Sequence, residues 1–403
     1  MKAVVLAAGE GSRMRPLTYS RPKVMLPLVN KPILEHLLLE VKEAGISEFV
    51  FVVGYHDEQV RNYFGDGSRW GVSVEYCTQR RRMGTADAIR QVEGLATGNF
   101  LVINGDTIVS QNEIGELAKG EDITLSVVEL GDAGNARNLG LLEVAEGRVV
   151  RIHEKVASLP SSLANAGLYL FTPAIFDAIS RTPKSLRGEY EITDSLQLLI
   201  DEGQRIAGRK IDYWLDFSYP WDLLAANELL MGLLEPENQG EVEENVVIKG
   251  AVAIGKGTVV RSGSYIVGPV IIGCDCDIGP NCYLRPNSAI GDGCRIGGAV
   301  ELKGAVIMKN SRIPHHSYVG DSIIGEGCNL GAGTKIANLR FDDAEVWVAG
   351  VPTGRRKLGA MIGDGVETGI NASIDVGTMI GDKACIGPGA VASGVIAPGS
   401  KVF

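Results

Sequence analysis

Two incompatible hydrophobic rhythms divide the chain near residue 245. In the first half, short apolar runs at 2–7 (KAVVLA), 48–53 (EFVFVV) and 99–104 (NFLVIN) read as buried parallel strands. Between the first two, residues 31–45 carry Ile33, Leu34, Leu37, Leu38 and Val41 at helical spacing. Asn30 is the expected N-cap of that helix, Pro32 falls in its first turn and Gly45 stops it. Strand–helix–strand order implies right-handed crossovers and an α/β doubly wound sheet, with ligands at the carboxyl ends of its strands.

From Ile248 an aliphatic residue recurs every six positions: Ile248, Ile254, Val260, Ile266, Ile272, Ile278, Leu284, Ile290, Ile296 and Leu302. Neither a helix nor a strand gives a reason for period six, whereas a parallel β-helix of hexapeptide repeats does. Each inward aliphatic then stacks on the coil below, and glycines at 255, 273, 279, 291 and 297 are expected to permit the tight corners. The phase slips after Leu302 and resumes at Ile324, 22 residues on instead of 24. It slips again across 337–360, a polar segment expected to be an excursion, before Ile362, Ile374, Ile380 and Ile386 restore it. The acidic stretch LEPENQGEVEE, beginning at Leu234, reads as a linker. The expected division is 1–234, a linker at 235–245, and 246–403.

Composition narrows the function without deciding it. Of 403 residues, 45% are apolar and 22% charged, an ordinary balance for a globular chain too long for one core. A net charge of −10 argues against nucleic acid or an anionic membrane as partner. Neither a signal peptide nor an 18-residue apolar run is visible, so the expected location is cytoplasmic. The seven cysteines match no zinc or redox spacing, since Cys274-Asp-Cys276 lacks the two-residue gap and a second pair. They read as packed thiols.

The first strand runs into Ala7-Ala8-Gly9-Glu10-Gly11, where backbone N–H groups can turn toward an anion. Arg13 and Lys23 follow as fixed positive charge for a triphosphate. The third glycine and acidic ribose ligand of the dinucleotide fingerprint are missing. Taken whole, LAAGEGSRMRPLTYSRPKVMLP resembles the nucleotidyltransferases that join a nucleoside triphosphate to a sugar 1-phosphate. On that resemblance, Ala8, Gly9 and Gly11 hold the nucleotide, and Gln79 with Gly84-Thr85 reads a pyrimidine base. Asp106, in Asn104-Gly105-Asp106, resembles the carboxylate that holds Mg²⁺. Gly140, Glu154-Lys155 and Asn165 match the sugar-phosphate site, and Asp216 is the expected second metal ligand with Asp222 as the alternative. Singly, an Asp after Gly is a turn former and a lone Arg is solvated surface; the ordered set carries the weight. Arg15-Pro16-Leu17-Thr18 lengthens the loop in the manner of glucose-1-phosphate thymidylyltransferases, so UTP and dTTP both stay open as substrates.

Of five histidines, His315 and His316 fall inside the phase break. A lone surface histidine is more often inert, but here Arg285, Lys303, His315, Tyr318, Asn329, Ala332 and Asn338 form an ordered series. It resembles the acetyltransferase half of the bifunctional N-acetylglucosamine-1-phosphate uridylyltransferases/glucosamine-1-phosphate N-acetyltransferases, whose repeats form a left-handed β-helix. The resemblance implies that Arg285, Lys303 and Tyr318 hold the amino-sugar phosphate, dianions being best held by charge-assisted donors. It makes His315 the general base on the sugar ammonium, a role that suits imidazole at neutral pH. The Ala332 N–H would stabilise the acyl oxyanion on acetyl-CoA, and Asn329 and Asn338 would orient amine and acyl group. His316 is expected to point the other way along an alternating strand. Two departures stand out. The family's lysine six residues beyond Asn338 is Ala344 here, with Lys357 the substitute if the 337–360 excursion folds back, and the later coenzyme-A contact is Ile370-Asn371. Trimers with sites between subunits are implied by the resemblance alone.

The leading expectation is an enzyme that acetylates glucosamine 1-phosphate, or galactosamine 1-phosphate, and transfers UMP to the product. The alternative is a thymidylyl- or uridylyltransferase whose β-helix only oligomerises or regulates. A catalytically silent sugar-nucleotide sensor would lack metal ligands, and Asp106 and Asp216 are present.

Overall fold

The computed structural model describes residues 1–130, 139–154 and 161–403. It divides into two compact units. One comprises Met1–Glu10, Arg21–Met25 and Pro32–Asp216, the other Gly11–Ser20, Leu26–Lys31 and Phe217–Phe403.

The first unit is built on a nine-stranded sheet. Lys2–Ala7 lies between Glu48–Val53 and Phe100–Asn104, with Ser73–Thr78 at the edge, all four parallel as expected. Beyond Phe100–Asn104 the sheet continues with Leu163–Phe171, which runs antiparallel, and with strands that the sequence reading left unassigned. Alternate residues of the first strand feed two cores. Ala3, Val5 and Ala7 pack with the helices Ile33–Glu43, Asp57–Phe64 and Gln111–Ala118. Val4 and Ala8 pack with Thr85–Arg90, Ile175–Arg181 and Ile192–Asp201 on the opposite face. Helices therefore cover both faces of the sheet, as its near-continuous apolar strands require. The first helix begins at Ile33 with no side-chain cap. Asn30 is not its N-cap: it sits at φ 61° and gives its Nδ2 to the Ile290 carbonyl at 2.7 Å within the second unit.

The second unit stacks two- and three-residue parallel strands in three ladders, as in a β-helix. One ladder aligns eight isoleucines, 254, 272, 290, 307, 324, 362, 380 and 396, one above the other. Every six-step aliphatic from Ile254 to Leu302 is buried, while Ile248 at the lower end is 40% exposed. Each such burial is worth about 2 kcal/mol, so the repeat itself is the source of stability.

The stretch 235–245 is not free of structure. Glu237–Asn238 and Glu241–Val242 pair with the strands above them, so the expected linker is hydrogen-bonded into the lowest coil. The glycine argument also needs correction. Of the five, Gly279 alone adopts positive φ, 104°; at Gly255, Gly291 and Gly297 a Cβ would instead meet the backbone of the next coil at 2.6–2.8 Å. Left-handed corners otherwise fall in separate columns, one of them Gly257, Asp275, Gly293 and Asn310, where glycine and short polar residues alternate.

The phase slip has a local cause. Steps of five replace steps of six at Leu302 to Ile307 and at Val319 to Ile324, so one corner loses a residue on two successive coils. Gly304 and Asp321 occupy those shortened corners at positive φ, and the Asp321 N–H donates to the Lys303 carbonyl. The excursion 337–360 leaves and rejoins at the same corner. Its hairpin, Trp347–Val348 against Val351–Pro352, buries Val346 and Val348.

Candidate active sites

In the first unit, four backbone segments are drawn to one place. The Gly105 N–H donates to the Leu6 carbonyl at 2.9 Å, and a Cβ on Gly105 would meet that oxygen at 2.8 Å. Gly167 packs against the Asn104 amide, leaving 2.2 Å for a Cβ. The Trp214 indole N–H donates to the Ala166 carbonyl at 2.8 Å. Ala7-Ala8-Gly9, Asp106, Asn165 and Asp216 are thereby gathered, and the space around Gly9 is open.

Lys23 Nζ lies 2.6 Å from Asp106 Oδ2, with Lys23 9% exposed. Trp214–Asp216 runs antiparallel to Thr107–Val109, placing Asp216 opposite Thr107, the residue after Asp106. Asp106 thus directly precedes the residue that faces Asp216 on a two-stranded ribbon, and among the described residues no group of three or more metal-ligating side chains exists. That donor set fits Mg²⁺, which takes one or two carboxylates and fills its remaining positions with water and substrate phosphates. Asp222 behaves differently, since its Oδ2 accepts the N–H groups of Ser218 and Tyr219 at 2.7 Å each. Gly11 and Arg13 belong to the second unit, where Gly11 precedes a 3₁₀ turn, Ser12–Met14, and Arg13 is exposed.

Gln79 is 6% exposed, and its Nε2 donates to the Gly84 carbonyl at 3.0 Å and to Asp87 Oδ2 at 2.8 Å. Its donors are spent, so Oε1 is left to accept, which suits the N3–H of a pyrimidine. Gly84 has φ 103°, and a Cβ there would strike the Tyr190 backbone at 2.3 Å. Thr85 Oγ1 accepts from the Ile192 N–H. Asp87, the group that orients Gln79, was missed by sequence reasoning because a helical aspartate looks like solvated surface.

Gly140 pairs directly with Glu154, and a Cβ on Gly140 would come 3.0 Å from Glu154 Oε2 and 3.9 Å from Asn165 Cβ. Glu154 is held from both sides, by Arg187 Nη2 at 3.3 Å and Thr193 Oγ1 at 3.1 Å. Asn165 donates to the Tyr169 hydroxyl and accepts from the Gly167 N–H. Arg187 also reaches Glu191 at 2.6 Å, and burial pushes the Glu191 carboxyl up to about 7 against that pairing. Arg187, Glu191 and Thr193 carried no sequence signal. Lys155 lies outside the described residues.

In the second unit, Arg285, Lys303, Tyr318 and Asn338 gather along one ladder and its corner. Arg285 pairs with Glu301 at 2.9 Å. Lys303 Nζ reaches both Asp321 oxygens at 2.7 and 3.0 Å, and Asn338 Nδ2 donates to Asp321 Oδ2 and to the Tyr318 hydroxyl. Burial raises the Tyr318 phenol, with the nearby Asp321 charge as the next cause. Asp321 is the organiser that sequence reasoning missed, because a residue at a slipped corner reads as a turn former.

His315 and His316 both lie in the turn between Arg312–Ile313 and Tyr318–Gly320, so strand alternation does not separate them. His316 is set apart by its left-handed φ of 59° and by its backbone, whose N–H donates to Gly298 and whose carbonyl accepts from Lys335. His315 lines a cleft of about 280 Å³ that Asn329 shares. The Gly333 N–H donates to the His315 carbonyl, while the preceding Ala332 N–H has no acceptor among the described residues. An unused amide beside an exposed imidazole is an arrangement suited to an acyl oxyanion. The excursion does fold back: Leu339 bridges Lys357, and the Leu358 N–H donates to the Asn338 carbonyl. Asn371 N–H donates to the Ala332 carbonyl, which ties the later coil to this amide. Cys276, Cys282, Cys294 and Cys328 are buried thiols whose burial raises their pKa values, and no helix among the described residues is long and apolar enough to cross a membrane.

Comparison with known proteins adds to this geometry. Residues 2–231 match the nucleotidyl transferase family, and 266–369 match the family described as GMPPB C-terminal domain. The "Bifunctional protein GlmU" of Methanococcus maripaludis (strain C7) is 39% identical over 409 residues, covering 100% of this chain and 97% of that one. The "Bifunctional sugar-1-phosphate nucleotidylyltransferase/acetyltransferase" of Sulfurisphaera tokodaii is 38% identical, with 97% of each chain covered. A putative glucose-1-phosphate thymidylyltransferase from Bacillus anthracis, solved with a sucrose, superposes with TM-score 0.52 at 28% identity over 57% of this chain and 94% of that one. Both halves of the chain are matched in one continuous alignment to such relatives, and the chain belongs to the family of bifunctional sugar-1-phosphate nucleotidylyltransferase/acetyltransferases.

Proposed function

We propose that the chain acetylates glucosamine 1-phosphate with acetyl-CoA and then transfers UMP from UTP to the product, giving UDP-N-acetylglucosamine and pyrophosphate. Residues 1–234 carry the nucleotidyl transfer and 246–403 the acetyl transfer, on a β-helix of left-handed sense that assembles as a homotrimer in the cytoplasm. The observation that carries the reading is the pairing of two independent constellations, Lys23–Asp106 and Lys303–Asp321, one in each unit. Full-length relatives named for both activities favour it over a β-helix that merely oligomerises.

In the first site an oxygen of the sugar phosphate attacks the α-phosphorus of UTP in line, and pyrophosphate leaves. Both reactants are anions, so positioning and charge screening dominate the barrier. Arg13 and Lys23 draw the triphosphate into line, the amides after Ala8 cradle it, and Gln79 with Gly84 and Thr85 selects the pyrimidine. Gly140, Glu154, Lys155 and Asn165 fix the sugar. Asp106 and Asp216 would hold Mg²⁺, which would supply positive charge to offset that of the phosphates.

In the second site His315 takes a proton from the sugar ammonium, and the freed amine attacks the thioester carbonyl. The oxyanion forms against the Ala332 amide and collapses with loss of coenzyme A as thiol. Arg285, Lys303, Tyr318 and Lys357 hold the amino-sugar phosphate, and Asn329 and Asn338 align amine and acyl group.

Two substitutions in the full chain test the assignment. Asp106→Ala is expected to abolish pyrophosphate release while acetyl transfer persists, and His315→Ala to do the reverse. Loss of both activities in both variants would overturn the two-site account.

A further inference from the structure

The cations assigned to the amino-sugar phosphate are each neutralised internally, Arg285 by Glu301 and Lys303 by Asp321. Two other arginines are not. Arg295 and Arg312 stand directly opposite one another in adjacent parallel strands, and Arg312 is bridged in turn to Asn329. Strands in a ladder lie about 4.8 Å apart, so the two side chains leave the sheet as near neighbours. Both line the His315 cleft. Among the described residues neither has an ion pair or a side-chain hydrogen bond. The one carboxylate lining that cleft, Asp277, is held by Arg261 Nε at 2.6 Å.

Two exposed guanidinium groups stacked without a counter-ion repel each other, and a bound dianion relieves that repulsion. Guanidinium also presents paired donors that match phosphate oxygens. The cleft is large enough for a phosphate and its ester group, and it opens onto the general base.

We infer that Arg295 and Arg312 form a phosphate-holding pair in the His315 cleft, engaging a phosphate of a substrate that reacts there. The inference rests on the acetyl-transfer reading for its substrates, which offer two sources of that group: the coenzyme-A moiety and the sugar 1-phosphate. Arg285 and Lys303 occupy the neighbouring ladder and its corner and do not line this cleft, so the pair is the cationic feature on the His315 side.

The test uses the full chain with Arg295→Gln, Arg312→Gln and the double variant, and with Arg312→Lys as the charge-retaining control. KM is measured for acetyl-CoA, for acetyl-pantetheine, which lacks phosphate, and for glucosamine 1-phosphate. Calorimetric Kd values for coenzyme A and glucosamine 1-phosphate are measured alongside, since they need no turnover. The pair holding coenzyme A predicts a rise of tenfold or more in KM and Kd for the coenzyme, none for acetyl-pantetheine, and partial retention in Arg312→Lys. A comparable rise for glucosamine 1-phosphate instead supports the inference with the sugar phosphate as the ligand. Wild-type KM and Kd values in the double variant overturn it. So does equal loss with acetyl-CoA and acetyl-pantetheine without any change for the sugar, or dissociation of the assembly, which would mean that the pair faces a neighbouring subunit. A wild type that binds these anions but transfers no acetyl group defeats the acetyl-transfer reading and leaves the phosphate pair supported; one that binds neither defeats the pair as well. Thermal melting of each variant separates these outcomes from misfolding.

Discussion

Lys303 Nζ sits between both oxygens of the Asp321 carboxylate, at 2.7 and 3.0 Å, because the solenoid drops one residue from the corner beside each of them. A full six-residue step at either coil would carry the carboxylate or the ammonium away from the other. The irregularity of the repeat is thus what assembles the polar site.

Asp321 is 8% exposed, so removing its charge leaves Lys303 uncompensated in a half-buried place. Asp321→Ala is expected to lower stability by about 3 kcal/mol. Asp321→Asn keeps the shape and should lower kcat/KM for acetyl transfer by ~10–100-fold, about 1.4–2.7 kcal/mol of transition-state stabilisation. Pyrophosphate release is expected to be unchanged in both variants. Urea unfolding and the two activity assays report each effect.

Asp87 fixes the Gln79 amide nitrogen at 2.8 Å, and in the proposed nucleotide site it would act on the base through that amide. Asp87→Ala frees Gln79 to present either end of its amide. KM for UTP is expected to rise about fivefold, a loss of roughly 1 kcal/mol in keeping with one side-chain hydrogen bond. Discrimination against purine triphosphates should weaken in parallel, with kcat little changed. Steady-state kinetics with UTP, dTTP and ATP measure the split.

Glu191 gives a pH signature. Burial pushes its folded-state pKa up to about 7 from the ordinary 4.5, with Arg187 opposing the rise and Glu154 and Glu189 adding to it. Asp194, raised by burial and by Glu154, shifts the same way. A raised carboxyl pKa means that the folded state binds the proton more tightly. Its stability contribution is present below the unfolded pKa and is lost as pH rises toward 7. Glu191→Gln should flatten the fall in stability between pH 4.5 and 7, read as urea midpoints at half-unit steps.

Much of the architecture was legible because apolar periodicity is a direct consequence of burial. Ile254 to Leu302 point inward at every sixth residue, and no other fold explains that beat. The parallel strands Lys2–Ala7 and Glu48–Val53 were equally plain, being buried on both faces. The antiparallel strands were not, since Arg148–Glu154 is half exposed and mixes Arg, His and Glu with valine. Asn30 misled because it lies ahead of the helix at left-handed φ and its amide Nδ2 donates to a distant carbonyl, which no local signal reveals. Candidates that carry a family motif, such as Gln79, Asp106 and His315, can be nominated from the sequence. Asp87, Arg187 and Asp321 could not, because their importance lies in which side chain they hold, and that is decided by register and corner length.

The central claim is that one chain carries two chemistries, and the acetyl half is its exposed flank. The most direct measurement gives purified full-length protein acetyl-CoA and follows free thiol with and without glucosamine 1-phosphate. The account predicts thiol release that requires the amino sugar and matches formation of its N-acetyl derivative. Thiol release at the same slow rate with and without the sugar would contradict it.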